Sequence, residues 1–376
     1  MNRSGCTTGY SQCVRTPQVA ISGCMPLPRS HSFLYLIRPI SPFIKMDPPF
    51  QEKYRSLFND YTIVSKDKDD SLMNANDECE LPLIDLQRLK LEYSEREQCV
   101  KEIKQAASEW GFLQVVNHGI PQEMLKSLQY EQRKAFQHPF RKKAEDNILN
   151  LSANSYRWGN PRATCLRQLA WSEAFHVPLT DISRIGDAYK SLSASIEAFT
   201  TTANALAKGV AEILAENLGV SSTFFEENCP EETSYLRMNR YPPCPFSSEV
   251  FGLIPHTDSS FLTVLNQDQI GGLQLLKNGR WINVKPNPEA LVINIGDLFQ
   301  VLSNDVYKSI KHRVLAPQQV ERFSLAFFYC PTYETVIESS IKPSKYKEFT
   351  FREFMMQIQR DLKATGDKVG VSRFLL

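Results

Sequence analysis

The pattern of hydrophobic and polar positions changes character near Pro230. Before that point apolar residues recur at helical spacing, first at Val100, Ile103, Ala107 and Trp110. A longer stripe predicts a helix from Leu192 to Leu218 that ends at Gly219, a residue typical of helix C-caps. Two strand-like segments, LPLIDL and FLQVVNHGI, lie among these helices. The front half is therefore predicted to be mainly helical.

After Pro230 the chain is a series of short segments rich in β-branched and aromatic residues: SYLRMNRYPPCP, SFLTVL, GLQLL, RWINV, ALVINIG, VYKSIKHRVLA and RFSLAFFY. Asn278-Gly279 between two of them predicts a hairpin turn. Thr350 and Glu353 then predict a capping box for a C-terminal helix that stops at Gly366. The expected fold is α+β, an antiparallel β core wrapped by N-terminal and C-terminal helices.

These patterns divide the chain into segments. Residues 46–80 are a polar lead-in with one short helix, and 81–190 form a mainly helical region. Residues 191–230 carry the long helix and a linker, 231–331 the β core, and 332–376 a C-terminal helical segment. No repeat with a period of 20–50 residues is present, which argues against a solenoid.

Residues 1–45 differ from the remainder because they contain basic residues and serines but no Asp or Glu. That composition fits an organelle transit peptide. The alternative is a non-native extension, because Met46 opens MDPPFQEKYRSLFND, a plausible start of its own. The lack of a clear amphipathic period favours the extension, and in both cases the segment is expected to be disordered.

Composition and the absence of common motifs argue against several classes of function. The chain has 43 basic and 42 acidic residues, so we expect no nucleic-acid partner, and no apolar run is long enough for a membrane span. Nine scattered cysteines without a CxxC pair indicate a reducing compartment. We expect a cytoplasmic or also nuclear monomer. Phosphate-binding and serine-hydrolase motifs (GxGxxG after a strand, GxxxxGK[ST], GxSxG) are absent from the sequence.

Candidate chemistry begins at PHTDSSFLTVL, where His256 and Asp258 lie two positions apart at the mouth of a predicted strand. In an extended chain such residues face the same side and can reach one point. His312, in VYKSIKHRVLA, is predicted to face inward with Ile310 and Val314. Alone it would be interpreted as a packed core histidine. Together the three form the two-histidine, one-carboxylate set of non-haem Fe(II) oxygenases, and the absence of HExxH argues against a zinc hydrolase.

The other four histidines are interpreted as structural. His31 lies in the N-terminal extension, His118 is expected to cap a turn, and His138 and His176 sit between aromatic residues as packed core histidines do.

The following strand, RFSLAFFY, is predicted to place Arg322 and Ser324 on the inward face. A buried guanidinium without an acidic partner is costly, so the natural partner is the carboxylate of an incoming ligand. The alternative is a surface ion pair between Arg322 and Glu321.

HTD, a distant His312 and RFS ten residues later, with NRYPPCP, DQIGGLQLL and WGFLQVVNHGIP, resemble the plant iron- and 2-oxoglutarate-dependent dioxygenases. The resemblance runs from about Leu81 to the C-terminus and implies a double-stranded β-helix (jelly-roll) core. It implies that His256, Asp258 and His312 bind Fe(II), and that Arg322 and Ser324 bind the distal carboxylate of 2-oxoglutarate. Asn239 and Tyr241 would help to orient this cosubstrate, or would only lead a strand into a proline turn.

Within that family SYRWGNP, LAWSEAFHVPL and GDKVGVSRFLL are most similar to gibberellin 2-oxidases of the subgroup acting on twenty-carbon gibberellins. The resemblance implies hydroxylation at carbon 2 of a diterpenoid, with O2 as a substrate and ascorbate as a supporting reductant. The same chemistry on another gibberellin position or on a flavonoid is an alternative, as is a catalytically silent small-molecule-binding scaffold. The substrate pocket is expected to be apolar with a cation at one end, for which Arg157 is a candidate.

Overall fold

The structure is a computed structural model that describes residues 46–64, 78–216 and 218–376. The N-terminal extension predicted over residues 1–45 lies outside the described residues, as does most of the polar stretch that precedes Glu78.

Helices flank the β core on both sides along the chain. Their bounds are α1 Phe50–Lys53, α2 Arg55–Val64, α3 Tyr93–Trp110, α4 Gln122–Phe136, α5 Phe140–Glu145, α6 Lys190–Ala215, α7 Phe224–Asn228, α8 Asp297–Leu302 and α9 Phe351–Thr365. In the described part of the chain, no helix combines the length and the apolar character needed to cross a membrane.

The strands alternate with these helices in the first half and follow one another in the second. Their bounds are β1 Glu78–Cys79, β2 Leu83–Asp85, β3 Phe112–Val116, β4 Tyr156–Trp158, β5 Glu173–Pro178, β6 Tyr235–Tyr241, β7 Phe251–His256, β8 Leu262–Gln267, β9 Leu273–Lys277, β10 Arg280–Val284, β11 Leu291–Ile295, β12 His312–Leu315, β13 Arg322–Tyr329, β14 Val336–Ile337 and β15 Phe349–Thr350.

Two sheets enclose the interior of the β core. The eight-stranded sheet has the order β2-β3-β11-β8-β13-β6-β5-β4, and the five-stranded sheet has the order β1-β10-β9-β12-β7. Residues of both sheets line one common cavity, so the sheets face each other across it. The α+β prediction is confirmed.

Alternation along β13 divides its side chains between this cavity and the helical layer. Phe323, Leu325 and Phe327 lie in the main hydrophobic core together with buried residues of α3, α4 and α6. Arg322 and Ser324 line the cavity instead. The alternation in RFSLAFFY therefore directs Phe323, Leu325 and Phe327 into the core and Arg322 and Ser324 into the cavity, as predicted.

Local sequence signals predicted several element ends correctly. Asn278 and Gly279 have φ values of 51° and 75° and join β9 to β10, because a type I′ hairpin needs positive φ at both central residues. Thr350 and Glu353 form the predicted capping box of α9, and Gly366 ends that helix in the left-handed conformation.

Other boundaries differ from the prediction. Helix α6 ends at Ala215 rather than Leu218, because Glu216 leaves the helical conformation with ψ of 131°. The lead-in after Met46 contains two helices rather than one, and Phe50 and Tyr54 in it are 3% and 6% exposed. Both aromatic residues pack in a second hydrophobic cluster with Trp171, which the polar composition of this stretch concealed.

Strand β7 was not predicted, and it changes the setting of the HTD motif. His256 is the last residue of β7, and Asp258 lies in the turn after it rather than in the same extended strand. Strand β12 also begins only at His312, later than the predicted segment. Arg313, on the opposite face from His312, is buried and stacks on Phe251 and Trp281, so β12 is covered on both faces.

Candidate active site

Three potential metal ligands come together where β7 and β12 pair. His256 and His312 are register partners on these antiparallel strands, and Asp258 follows two residues after β7. One ligand atom from each of the three lies within 4.8 Å of the others. Asp258 Oδ1 is 3.6 Å from His256 Nε2 and 3.7 Å from His312 Nε2. These distances are too long for hydrogen bonds but suit separate ligand atoms around one ion.

Hydrogen bonds orient both imidazoles in the same way. His256 Nδ1 lies 2.8 Å from the carbonyl oxygen of Ile254, and His312 Nδ1 lies 3.0 Å from that of Ile310. A carbonyl only accepts, so each Nδ1 carries the proton and each Nε2 keeps its lone pair. Both Nε2 atoms are therefore available to a metal ion, with the ring orientation fixed by the backbone.

The Asp258 carboxylate is held from one side. Its Oδ2 accepts hydrogen bonds from Thr263 Oγ1 at 2.6 Å and from Asn294 Nδ2 at 2.8 Å. Oδ1 is left facing the two histidines. Thr263 and Asn294 are register partners on β8 and β11. The eight-stranded sheet therefore holds the Asp258 carboxylate, although Asp258 itself follows β7 of the opposite sheet.

The protonation states suit metal binding. Burial and the neighbouring His312 lower the pKa of His256, so its imidazole is neutral near pH 7. Burial alone would raise the pKa of Asp258, but the two histidines and the hydrogen bonds from Thr263 and Asn294 lower it. A neutral imidazole beside an ionised carboxylate is the state that a divalent cation requires.

Arg322 lies deep in the same cavity, 1% exposed, and its guanidinium is only partly satisfied. Nε donates to the carbonyl of Gly271 at 2.6 Å, and Nη2 donates to Gln267 Oε1 at 2.8 Å. Nη1 is buried and has no hydrogen-bond partner among the residues that the structure describes. Glu321 does not neutralise Arg322; it pairs with Arg240 at 2.8 Å and Arg133 at 3.7 Å. An unpaired buried N–H of a cation is what a site for a ligand carboxylate would offer.

The remaining predicted residues surround this guanidinium. Ser324 lies 3.3 Å through its Oγ from Asn239 Nδ2, and both line the cavity. The Tyr241 ring lies under Arg322, with 4.8 Å between the ring centroid and Cζ. Gly252 makes room for that ring, because a Cβ at this position would come within 2.8 Å of it. The structure thus brings all seven predicted residues to one cavity of about 70 Å³.

Two further side chains on the inner face of the eight-stranded sheet were missed from the sequence. Arg237 precedes Asn239 by two positions on β6 and shares its face, and it lines the cavity. His176 is the register partner of Arg237 on β5 and faces the same side, where its ring packs on Tyr235 as predicted for an aromatic-packed histidine. Counting back by two from Asn239 would have found Arg237.

His118 and His138 lie away from the triad and bond to Ile120 N and Tyr189 Oη. A larger cleft of about 1170 Å³ contains none of the triad residues in its lining.

Residues 232–331 match the 2OG-Fe(II) oxygenase superfamily, and residues 81–191 match the family described as non-haem dioxygenase in morphine synthesis N-terminal. Gibberellin 2-beta-dioxygenase 8 of Arabidopsis thaliana is 54% identical over 339 residues, which cover 88% of this chain and 99% of that protein. This chain belongs to the 2OG-Fe(II) oxygenase superfamily.

Other relatives of this dioxygenase carry the same enzyme name. Gibberellin 2-beta-dioxygenase 7 of Arabidopsis thaliana is 48% identical, with 88% of this chain and 99% of that protein covered. Gibberellin 2-beta-dioxygenase 5 of Oryza sativa subsp. japonica is 46% identical, with 87% and 96% covered. The predicted family and the enzyme class, a non-haem Fe(II)- and 2-oxoglutarate-dependent dioxygenase, are confirmed.

Solved structures confirm the jelly-roll fold. JOX2 in complex with 2OG, Fe and JA superposes with a TM-score of 0.65 at 30% identity, covering 79% of this chain and 90% of that one. The rice dioxygenase for auxin oxidation gives a TM-score of 0.65 at 26% identity, covering 79% and 100%. The family implies Fe(II), 2-oxoglutarate and O2, and the donor set here fits the metal while the unpaired Nη1 of Arg322 fits the cosubstrate.

Proposed function

We propose that this dioxygenase is a gibberellin 2-beta-dioxygenase that hydroxylates carbon 2 of twenty-carbon gibberellins and so inactivates the hormone pathway. The observation that carries the proposal is similarity over almost the full length to proteins of that name, at 43–54% identity. The geometry supports the oxygenase chemistry in this proposal, because the seven residues expected to serve it line one cavity.

In this proposal His256, Asp258 and His312 bind Fe(II), and the backbone carbonyls behind the histidines keep their Nε2 atoms directed at the ion. Arg322 and Ser324 bind the distal carboxylate of 2-oxoglutarate. Tyr241 positions the guanidinium from below, and Asn239 positions the Ser324 hydroxyl. When bound, iron and 2-oxoglutarate supply the oxidising power for inserting oxygen from O2 into an unactivated C–H bond.

The protein's own contribution is orientation and exclusion of water. Aromatic and aliphatic side chains of both sheets, Phe112, Leu253, Leu265, Leu273 and Phe328, line the cavity around the polar groups. Such a lining suits an apolar diterpenoid and keeps bulk water away from the reacting centre. We further propose that the enzyme works as a monomer in the cytoplasm, also in the nucleus, without nucleic acid, and that ascorbate supports its turnover.

The test is incubation of a protein that starts at Met46 with Fe(II), 2-oxoglutarate, ascorbate and a panel of twenty-carbon gibberellins. We expect mass spectrometry to detect a 2-hydroxylated product that the His312→Ala variant does not form. Succinate release stimulated only by a flavonoid or another plant acid would keep the enzyme class and contradict the gibberellin assignment. Absence of bound iron and of turnover with every substrate would favour a silent scaffold.

A further inference from the structure

Two arginines that no part of the proposed chemistry uses lie on the inner face of the eight-stranded sheet. Arg157 on β4 is the register partner of Ala174, which pairs with Asn239 on β6. Arg237 lies two residues before Asn239 on the same strand and faces the same side. Directly opposed residues of an antiparallel sheet share a face, so both guanidiniums are on the face that carries Asn239 and Ser324.

Aromatic side chains build the surroundings of these arginines. His176 pairs with Arg237, and its ring packs on Tyr235 with 4.3 Å between centroids. Tyr235 in turn stacks on Phe328 of β13, a residue that lines the active-site cavity, at 4.5 Å. We call Arg157, His176, Tyr235 and Arg237 the basic subsite. Burial and then the charges of both arginines lower the pKa of His176 to about 4, so this imidazole adds no third charge near neutral pH.

The guanidiniums of the basic subsite lack acidic partners. Arg237 Nε donates to Asn239 Oδ1 at 2.8 Å, and Arg157 Nε donates to the carbonyl of Asn154 at 3.0 Å. Among the described residues, neither arginine forms an ion pair, and no hydrogen bond reaches their terminal nitrogens. Arg240, on the opposite face of β6, is in contrast neutralised by ion pairs with Glu173, Asp47 and Glu321. Two neighbouring cations repel each other, and an anion bound between them would remove that repulsion.

The subsite is separate from the position proposed for 2-oxoglutarate. Arg322 pairs with Tyr241 at one end of β6, and Arg237 lies four residues away along that strand, about 13 Å at the usual rise of a strand. The register partner of Arg237 on β13 is Ala326, whose small side chain leaves the guanidinium open to the cavity. Arg157 is exposed, so a ligand can reach the subsite from solvent.

From this arrangement we infer that the basic subsite binds the carboxylate of the organic substrate and so orients it over the metal-binding triad. The inference rests on the proposed function, which it deepens by naming the residues that select an acid. The terminal nitrogens of the two arginines donate to the carboxylate oxygens, while Phe328 and Leu265 contact the apolar body of the substrate. Arg157 and Arg237 are thereby specificity-determining residues: they select acids over neutral diterpenoids of the same shape.

The test measures binding, so that it does not depend on turnover. Protein loaded with Mn(II) and 2-oxoglutarate is titrated calorimetrically with a twenty-carbon gibberellin and with its fully methylated ester. We expect the wild type to prefer the acid about 10- to 100-fold, the factor that hydrogen bonds to a charged group provide. Arg237→Met and Arg157→Met should each lower the ratio of the two affinities by at least about tenfold, and Arg237→Lys should retain part of it. The ester is also larger, so the decisive quantity is the change in ratio between wild type and variant.

Arg280→Met is the matched control, because Arg280 is an exposed strand arginine of the five-stranded sheet and lies outside the cavity lining. It should leave the ratio at the wild-type value. If Arg237→Met and Arg157→Met keep the wild-type preference, the subsite is overturned while the gibberellin assignment stands. If the wild type binds neither gibberellin nor ester, the proposed function fails instead. In that case the titration is repeated with jasmonic acid and with indole-3-acetic acid, each compared with its methyl ester. If the wild type binds neither acid more tightly than its ester, the subsite is also overturned.

Discussion

Lys368 Nζ lies 2.6 Å from Asp297 Oδ2, and this ion pair joins the C-terminal tail to the first residue of α8. Lys368 also donates to the carbonyl of Thr257 and to Ser259 Oγ, both at 2.8 Å. Asp297 accepts from Thr257 Oγ1 at 3.1 Å, and its N–H donates to the carbonyl of Asp258 at 2.9 Å. The GDKVG segment of the tail therefore fixes the HTDSS turn from behind.

Replacing this lysine should weaken the metal site without unfolding the protein. For Lys368→Met we expect Mn(II) affinity, measured by calorimetry, to fall about 10- to 100-fold, the usual effect of losing a group that positions a ligand. Lys368→Arg should recover part of the affinity because it keeps the charge. Lys363→Met, an exposed change on α9, is the control. Wild-type affinity in Lys368→Met would show that the turn needs no support from the tail.

Arg322 should control the affinity for the cosubstrate rather than for the metal. Its unpaired, buried Nη1 is the group that a 2-oxoglutarate carboxylate would satisfy. We expect Arg322→Met to raise the KM for 2-oxoglutarate about 100-fold, and Ser324→Ala to raise it about tenfold, as hydrogen bonds to charged groups predict. Binding of 2-oxoglutarate to Mn(II)-loaded protein gives the same comparison without turnover. An unchanged dissociation constant in Arg322→Met would refute the assigned role.

His176 should make the protein less stable in acid. Burial lowers its pKa in the folded state to about 4, whereas the unfolded chain binds the proton near 6.5. Between these values the unfolded state holds more protons, so the free energy of unfolding falls as the pH decreases from 6.5 to 4. The shift of 2.5 units corresponds to a loss of about 3 kcal/mol.

Urea denaturation of metal-free protein at pH 7 and pH 4.5 checks this linkage. His256 adds to the loss in acid, because its pKa is lowered as well. The informative comparison is therefore between wild type and His176→Gln, which should lose less stability over the same range. Equal losses in the two proteins would mean that His176 titrates normally in the folded state.

A buried ion cluster should contribute to the attachment of the N-terminal lead-in. Lys143 and Glu173 are both fully shielded and lie 2.8 Å apart, and Arg240 reaches the same carboxylate at 2.6 Å. Lys143 Nζ also donates to the carbonyl of Met46 at 3.1 Å, and Arg240 pairs with Asp47 at 2.7 Å. The cluster thus connects β5 and β6 to the start of the described chain.

For Lys143→Met we expect the free energy of unfolding to fall by about 3–5 kcal/mol, because Glu173 loses one of its cations inside the protein. The double variant with Glu173→Gln should recover part of this loss, since the unpaired charge is then gone. Arg141→Met, which removes an exposed partner of Glu145, should change the stability by less than about 1 kcal/mol. A double variant no more stable than Lys143→Met would contradict the unpaired-charge explanation.

The sequence by itself determined those features that depend on local chemistry and on side-chain period. The hairpin at Asn278-Gly279, the capping box at Thr350 and the division of β13 into packing and cavity faces follow from φ preferences, hydrogen-bond reach and alternation. The sequence also groups His256, Asp258 and His312, because the chain has only six histidines and His312 is predicted to face inward in the same β core.

Tertiary structure decided the features that depend on pairing between distant strands. Strand β7 places His256 opposite His312, and no local pattern in either segment specifies that register. Likewise β4 and β5 pair beside β6, which brings Arg157 and His176 to Arg237 from about 60 to 80 positions earlier in the chain. The tail lysine reaches the metal-binding turn across more than 100 residues. Such contacts arise from chain topology, so the sequence shows their participants but not their proximity.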